Sequence, residues 1–239
     1  MSRTIAGTRT AAGQRQIVRD FGKSLKFNGT TGALQLNTPG SLNITGSAVT
    51  LTAWHKSLDL STNRTPICHG NFGSTIQYMM MVQGNKLRME VTTSVGGNVG
   101  LQGAITIKKG EWTFLACVYD GANIRLYVNG VPDLTMAKTG NLTTSSDPVN
   151  LAIRSGTAEW ISGWLDDVRI YNTNLSAQQI NDLFYGTNPP TTNLQGWWKM
   201  DEGTGTTTAD GSGNGGTMSF VNSPTWSTDV FMVPRTAAP

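Results

Sequence analysis

Two dipeptides, Asp120-Gly121 and Asn129-Gly130, constrain the fold of this chain more than any other local feature. Asp-Gly and Asn-Gly supply the positive φ angles that tight hairpin turns require. A continuous apolar run at 112–119 precedes the first pair, and a short alternating run at 124–128 separates the two. We therefore predict three consecutive antiparallel strands, the first of them buried on both faces.

The composition extends this prediction to the whole chain. Charged residues make up 14% of the 239 residues, well below the usual quarter, and 28 residues are glycine. Further strand-like runs lie at 24–27, 48–54, 86–91, 149–153 and 163–171. This pattern predicts an all-β antiparallel sandwich and argues against a helical bundle, a coiled coil or a doubly wound α/β fold. No apolar run approaches the roughly 20 residues that cross a bilayer, so we expect no membrane span.

One short helix is predicted after the last of these strands. Ser176 is followed three residues later by Gln179, which is the spacing of a capping box. Ile180, Leu183 and Phe184 then form an apolar face. Gly186 and the following Pro-Pro pair end the helix.

The positive charge is concentrated in an N-terminal arm, residues 1–20. Its first 19 residues contain no acid and four arginines, namely Arg3, Arg9, Arg15 and Arg19. Without these four, 14 of the 18 basic side chains remain against 15 acidic ones. The nearly neutral body therefore offers no basic surface for nucleic acid. The arm either anchors the chain to an acidic partner or is a loosely ordered leader. It lacks the apolar segment of a secretory signal peptide.

Several segments resemble the laminin-G-like, concanavalin A-like lectin/glucanase jelly-roll family. They read EWTFLACVYDG at 111–121, LYVNG at 126–130, GWLDDVRIYN at 163–172 and LSAQQI at 175–180. The resemblance implies an antiparallel jelly-roll sandwich with one short helix. We assign it to residues 21–232 as a single domain, followed by a tail at 233–239.

The C-terminal part of the chain is out of the family's usual order. GWWKMDEGTG at 196–205 and DGSGNG at 210–215 resemble the family's first strand and first loop, which normally precede the strand at 21–27. Segment 194–226 therefore either completes its own sandwich by circular permutation or completes a neighbouring subunit, which would build a homo-oligomer.

The loop at 210–215 is also a candidate metal site. Asp210, Ser212 and Asn214 place oxygen atoms at every second position. The resemblance implies a structural Ca²⁺ between this loop and the acidic residues of the closing strand. That would add Asp166 or Asp167 to Asp210 and Asn214. The alternative is a plain turn held by side-chain to backbone hydrogen bonds.

The acidic residues do not predict an enzyme. A glycosidase needs two carboxylates across the scissile bond, and the four glutamates are widely separated along the chain. The E-x-D-x-E pattern of the related glucanases is absent. A glycan could instead stack on Trp160, which lies beside Glu159 in a Gly/Ser-rich loop. The alternative for Trp160 is a lid over one end of the sandwich.

Three functional classes follow from these features. The first is a structural or decoration protein at a particle surface, such as a phage head or tail, bound to other particle proteins through the arm. The second is a carbohydrate-binding lectin module with a glycan ligand. The third, a glycoside hydrolase, is disfavoured by the missing carboxylates. The first class predicts location in a virion, and the alternatives are the cytoplasm or non-classical export.

Overall fold

The computed structural model describes residues 7–9, 15–17, 22–71, 76–154, 156–157, 159–214 and 216–232. A short 3-10 turn lies at Gly40–Leu42, and one helix, α1, spans Ala177–Tyr185. The strands, in chain order, are β1 (Gly7–Arg9), β2 (Arg15–Ile17), β3 (Ser24–Asn28), β4 (Ala33–Leu36), β5 (Val49–Ser57), β6 (Arg64–His69), β7 (Tyr78–Gln83), β8 (Lys86–Thr93), β9 (Gly97–Thr106), β10 (Thr113–Tyr119), β11 (Asn123–Val128), β12 (Val131–Ala137), β13 (Val149–Leu151), β14 (Ser162–Tyr171), β15 (Leu194–Trp198), β16 (Thr207–Thr208), β17 (Met218–Val221) and β18 (Thr225–Ser227).

Two antiparallel sheets form the predicted sandwich. Sheet I has the order β12-β11-β10-β5-β14-β3-β18, with β15 paired to β14 beyond the end of β3. Sheet II has the order β16-β17-β4-β13-β6-β7-β8-β9. Alternate residues of both sheets face each other in one apolar core, as the period of two requires. The all-β jelly-roll prediction is confirmed.

The central hairpins and the helix form where the sequence places them. β10 pairs with β11, and β11 pairs with β12, across the two predicted turns. Asn129 and Gly130 both have positive φ, at 52° and 77°. At the helix, the Ser176 side chain accepts a hydrogen bond from the Gln179 amide, and the Gln179 side chain accepts one from the Ser176 amide. The three strands and the helix are confirmed, whereas positive φ at the first pair is found at Gly121 (83°) and not at Asp120.

The strands of segment 194–226 pair with strands of the same chain. β15 pairs with β14, β17 with β4, and β18 with β3. The register places Trp226 opposite Leu25, so the C-terminal strand runs beside the strand that begins the domain. This is the arrangement that the permutation alternative describes. The domain boundaries themselves stay predictions.

Part of the outer side of sheet I is covered. Helix α1 packs there, and residues 227–232, the C-terminal strap, pack beside it through Phe231. Phe231 is fully buried and stacks on Trp54 with ring centroids 4.0 Å apart. Asp229 fixes the strap by accepting from Lys56 Nζ at 2.6 Å and from Trp112 Nε1 at 2.9 Å. Sheet I therefore buries apolar surface on both faces.

The N-terminal arm is described only in part. β1 and β2 form a separate two-stranded sheet whose register places Arg9 opposite Arg15. Arg3 and Arg19 lie outside the described residues, as does the tail at 233–239. Among the helices that the structure describes, none combines the length and the apolar character of a membrane span.

Candidate functional site

The outer side of sheet II carries polar side chains and no helix from the described part of the chain. Tyr78 and Met80 of β7 point into the core, so Met79 and Met81 point outward. On the neighbouring strand β8, Glu90 lies opposite Met79, and Arg88 lies opposite Met81.

The first of two ion pairs on this side joins Arg88 to Glu90. Arg88 Nε lies 2.9 Å from Glu90 Oε1, and the two side chains are 24% and 12% exposed. The guanidinium extends over β9, where Gly100 has no side chain that would obstruct it. Gln102, opposite Arg88 on β9, donates to the Gln83 carbonyl at 2.7 Å. Local packing thus holds the pair against the sheet.

The second ion pair comes from the loop between β13 and β14. Glu159 lies 3.9 Å from Arg154 and accepts hydrogen bonds from Asn63 at 3.0 Å and from Thr65 at 3.2 Å. These bonds tie the loop to β6 and to the residue before it. The carboxylate that the sequence proposed for glycan contact is therefore engaged in holding its own loop.

Trp160 follows Glu159 in the loop between β13 and β14. Its carbonyl accepts from Arg64 Nη1 at 2.9 Å, which fixes the backbone. The residue is half-buried, and both its predicted contact with a glycan and the alternative of a lid stay predictions.

The two ion pairs lie around one buried thiol. Cys68 is opposite Met79 on β6, and burial raises the pKa of its thiol to about 12. Arg154, Glu159 and Glu90 all lie near enough to affect that pKa. A thiol held protonated in this way is no nucleophile. We call the surface formed by Arg88, Glu90, Arg154, Glu159 and Trp160, with Met79 and Met81 as its floor, the ion-pair face.

Asp210, proposed for calcium, is the centre of a hydrogen-bonded turn. Its Oδ1 accepts from the amides of Trp197 and Ser212, both at 2.8 Å. Its Oδ2 accepts from the Ser212 hydroxyl at 2.6 Å and from the amides of Asn214 and Gly216. Five donors occupy the acceptor sites of one carboxylate. This is the turn geometry of the alternative interpretation.

Asn214 and Asp167 are likewise engaged. Asn214 Nδ2 donates to the Leu194 carbonyl at 3.0 Å. Asp167 binds Arg169 through two bonds of 2.9 and 3.0 Å and accepts from Trp197 Nε1 at 2.6 Å. The indole of Trp197 thus lies between Asp167 and the Asp210 turn.

Asp166 is the one proposed calcium ligand whose carboxylate has an oxygen atom without a hydrogen-bond partner. It is fully buried, and its Oδ2 has no hydrogen-bond partner. Burial raises its pKa well above the usual range, and the negative charges of Asp167 and Asp201 add to the shift. Within the described residues, no cluster of three His, Cys, Asp or Glu side chains that could hold a metal ion is present. Calcium binding stays a prediction.

Arg88 and Glu90 were not among the site residues predicted from the sequence. Their signal was present, because the alternation at 86–91 places both on the face opposite Leu87 and Met89. What the alternation could not show is the pairing of β8 with β7 and β9 that surrounds these two side chains.

The comparisons with known proteins agree with this architecture. Residues 28–181, more than half of the chain, match the laminin G type 3 profile of the concanavalin A-like lectin/glucanases superfamily. The chain belongs to this family. The family resemblance predicted from the sequence is therefore confirmed.

One curated relative is similar in sequence to part of this chain. Over 143 residues the chain is 25% identical to the adhesion G-protein coupled receptor V1 of Danio rerio. The match covers 56% of the chain and only 2% of the receptor.

Solved structures share the fold at low sequence identity. A proposed carbohydrate-binding protein from Bacteroides ovatus aligns with a TM-score of 0.70 and 17% identity over 89% of this chain and 61% of that one. The CBM40 domain of the Ruminococcus gnavus IT-sialidase, bound to α2,3-sialyllactose, gives 0.56 and 13% over 67% and 95%. The heptameric SAP-like pentraxin of Limulus polyphemus gives 0.55 and 17% over 70% and 83%. These similarities show the fold alone.

Proposed function

We propose that this protein is a non-catalytic carbohydrate-binding module and that the ion-pair face holds the glycan. The observation that carries the proposal is the contrast between the two outer surfaces. Helix α1 and the C-terminal strap lie on sheet I, whereas the described residues on the outer side of sheet II form two partly exposed ion pairs, one of them in the loop that also holds the half-buried Trp160. A few fixed polar groups beside an aromatic ring are what a sugar site needs.

Membership of a superfamily that includes lectins supports this proposal, as do the sugar-binding proteins among the structural neighbours. Neither supports the particle-surface role that the sequence analysis put first. No comparison bears on a virion location, on the arm as an anchor or on oligomer formation, so these remain predictions.

The ion-pair face is arranged for binding rather than for hydrolysis. Glu90 and Glu159, although distant in sequence, are both near Cys68. Each carboxylate is engaged by an arginine, and Glu159 also by Asn63 and Thr65. A glycosidase instead needs one carboxyl group free to donate a proton and another free to attack or to activate water.

A glycan array tests the proposal directly. The full chain should bind at least one class of oligosaccharide, and Trp160→Ala and Arg88→Ala should each weaken that binding about tenfold or more. Leu134→Ala is the control, because Leu134 is 41% exposed on β12 of the other sheet. Binding that both ion-pair-face variants leave unchanged would place the glycan elsewhere. Silence of the folded protein across a broad array would contradict the function itself.

A further inference from the structure

Among the described residues, the charged side chains on the outer side of sheet II are balanced. Besides Arg88 with Glu90 and Arg154 with Glu159, the same side carries Lys86. The acidic counterpart is Asp147, which lies near Cys68 at the other end of the surface. In the described part of the chain, three cations thus face three carboxylates, and both arginines have a carboxylate partner.

We propose that the ion-pair face recognises an uncharged glycan through its hydroxyl groups and discriminates against sialylated, uronic or sulfated sugars. This inference rests on the proposed function and names its ligand class. An arginine beside a glutamate offers donors and acceptors side by side. A sugar hydroxyl can accept from the guanidinium while it donates to the carboxylate. Such a ligand leaves the ion pair intact.

The anionic group of a charged sugar cannot contact both members of an ion pair favourably. Its carboxylate or sulfate would approach Arg88 only beside Glu90, or Arg154 only beside Glu159. Both glutamate side chains are less than one-fifth exposed, so solvent screens that repulsion incompletely. A like charge at such a distance penalises the wrong ligand.

Cations with fewer carboxylate neighbours lie on the opposite side of the molecule. Lys26 and Lys56 are 5.1 and 4.9 Å from the centre of the Trp164 ring on sheet I. Lys26 is exposed there, whereas Lys56 also pairs with Asp229. An anionic glycan that bound this protein would be attracted to that side, not to the ion-pair face.

The experiment compares matched ligands that differ by one charged sugar. The full chain is titrated with lactose and with 3′-sialyllactose, and an array extends the comparison to other neutral oligosaccharides and their sialylated, uronic and sulfated counterparts. We expect neutral members to bind about tenfold more tightly than their anionic counterparts, with little change between low and high salt.

The variant Glu90→Gln tests whether the charge of Glu90 excludes anionic glycans. It frees Arg88 from its carboxylate, so affinity for neutral glycans should fall and affinity for the anionic counterparts should rise. Glu111→Gln is the matched control. Glu111 also lies beside a cation, with its carboxylate 3.7 Å from Lys108 Nζ, but it is 61% exposed and is not part of the ion-pair face. Salt-sensitive preference for anionic glycans in the wild type would overturn the inference and leave the proposed function standing. Failure to bind any glycan would overturn both.

Discussion

The guanidinium of Arg88 lies over Gly100 on the neighbouring strand, and a Cβ at Gly100 would overlap its Nη2, Cζ and Nε atoms. The backbone of Gly100 is outside the left-handed region, so a substitution there strains nothing but this contact. The geometry of the ion-pair face therefore depends on the missing side chain of one glycine.

Gly100→Ala should displace Arg88 from Glu90 and weaken glycan binding while the protein stays folded. We expect the free energy of unfolding to change by less than about 1 kcal/mol, because the Arg88 side chain is 24% exposed and can turn into solvent. Calorimetric titration with the array's best ligand and urea unfolding measure the two effects. Gly46→Ala is the control, since nothing lies within 4 Å of its Cβ position. Equal affinities of the two variants would show that Arg88 does not contact the ligand.

Phe231 should contribute strongly to stability although it lies close to the end of the described chain. Its ring is fully buried against Trp54, and Phe→Ala changes in such sites cost about 3–5 kcal/mol. Chemical denaturation of Phe231→Ala measures that loss. Met232→Ala should change little, because Met232 is 57% exposed. A Phe231→Ala protein as stable as wild type would show that the strap does not pack on sheet I in solution.

His55 should make the protein sensitive to acid. Burial, and then the charge of Arg64, lower its pKa to about 4 from 6.5. Between pH 6.5 and 4 the His55 imidazole is protonated in the unfolded chain but stays neutral in the folded chain. Stability therefore falls as the pH drops from 6.5 towards 4. The loss approaches about 3 kcal/mol for a shift of this size. His55→Met removes the titrating group and should flatten this part of the stability profile, measured as the difference from wild type. Parallel profiles would exclude His55 as the cause.

Asp210 should stabilise its turn with or without calcium. Asp210→Ala removes the acceptor for five donors and should cost about 1–3 kcal/mol. We expect thermal unfolding to show the same loss in Ca²⁺ and in chelator. Asp166→Asn is the companion variant, since Asp166 keeps one oxygen without a partner. A loss at Asp210→Ala that appears only in Ca²⁺ would establish the loop as a metal site after all.

Local chemistry made much of the fold predictable. Positive φ at Asn129-Gly130 and the capping box at Ser176 depend on residues next to each other in sequence, and both formed as expected. The outward position of Arg88 and Glu90 was also readable from strand alternation.

Contacts between distant segments were not predictable in this way. Glu159 accepts a hydrogen bond from Thr65, which lies 94 residues earlier in the sequence, and no local sequence pattern near either residue predicts this contact. The strap could not be foreseen either, because Phe231 finds its site among rings from β5, β10 and α1. The bulge in β14 between Asp166 and Arg169 gives Asp167 a φ of 43° and turns it towards Trp197, which a regular strand pattern would not predict.

Mapping of a bound glycan onto the backbone shows whether the ion-pair face holds it. The tightest ligand from the array is added to the isotopically labelled full chain, and amide chemical-shift changes are followed by NMR. We expect the largest chemical-shift changes on β6 to β9 and on the loop between β13 and β14, around Arg88, Glu90 and Trp160. Changes concentrated instead around Trp164, helix α1 or the strap would contradict this expectation.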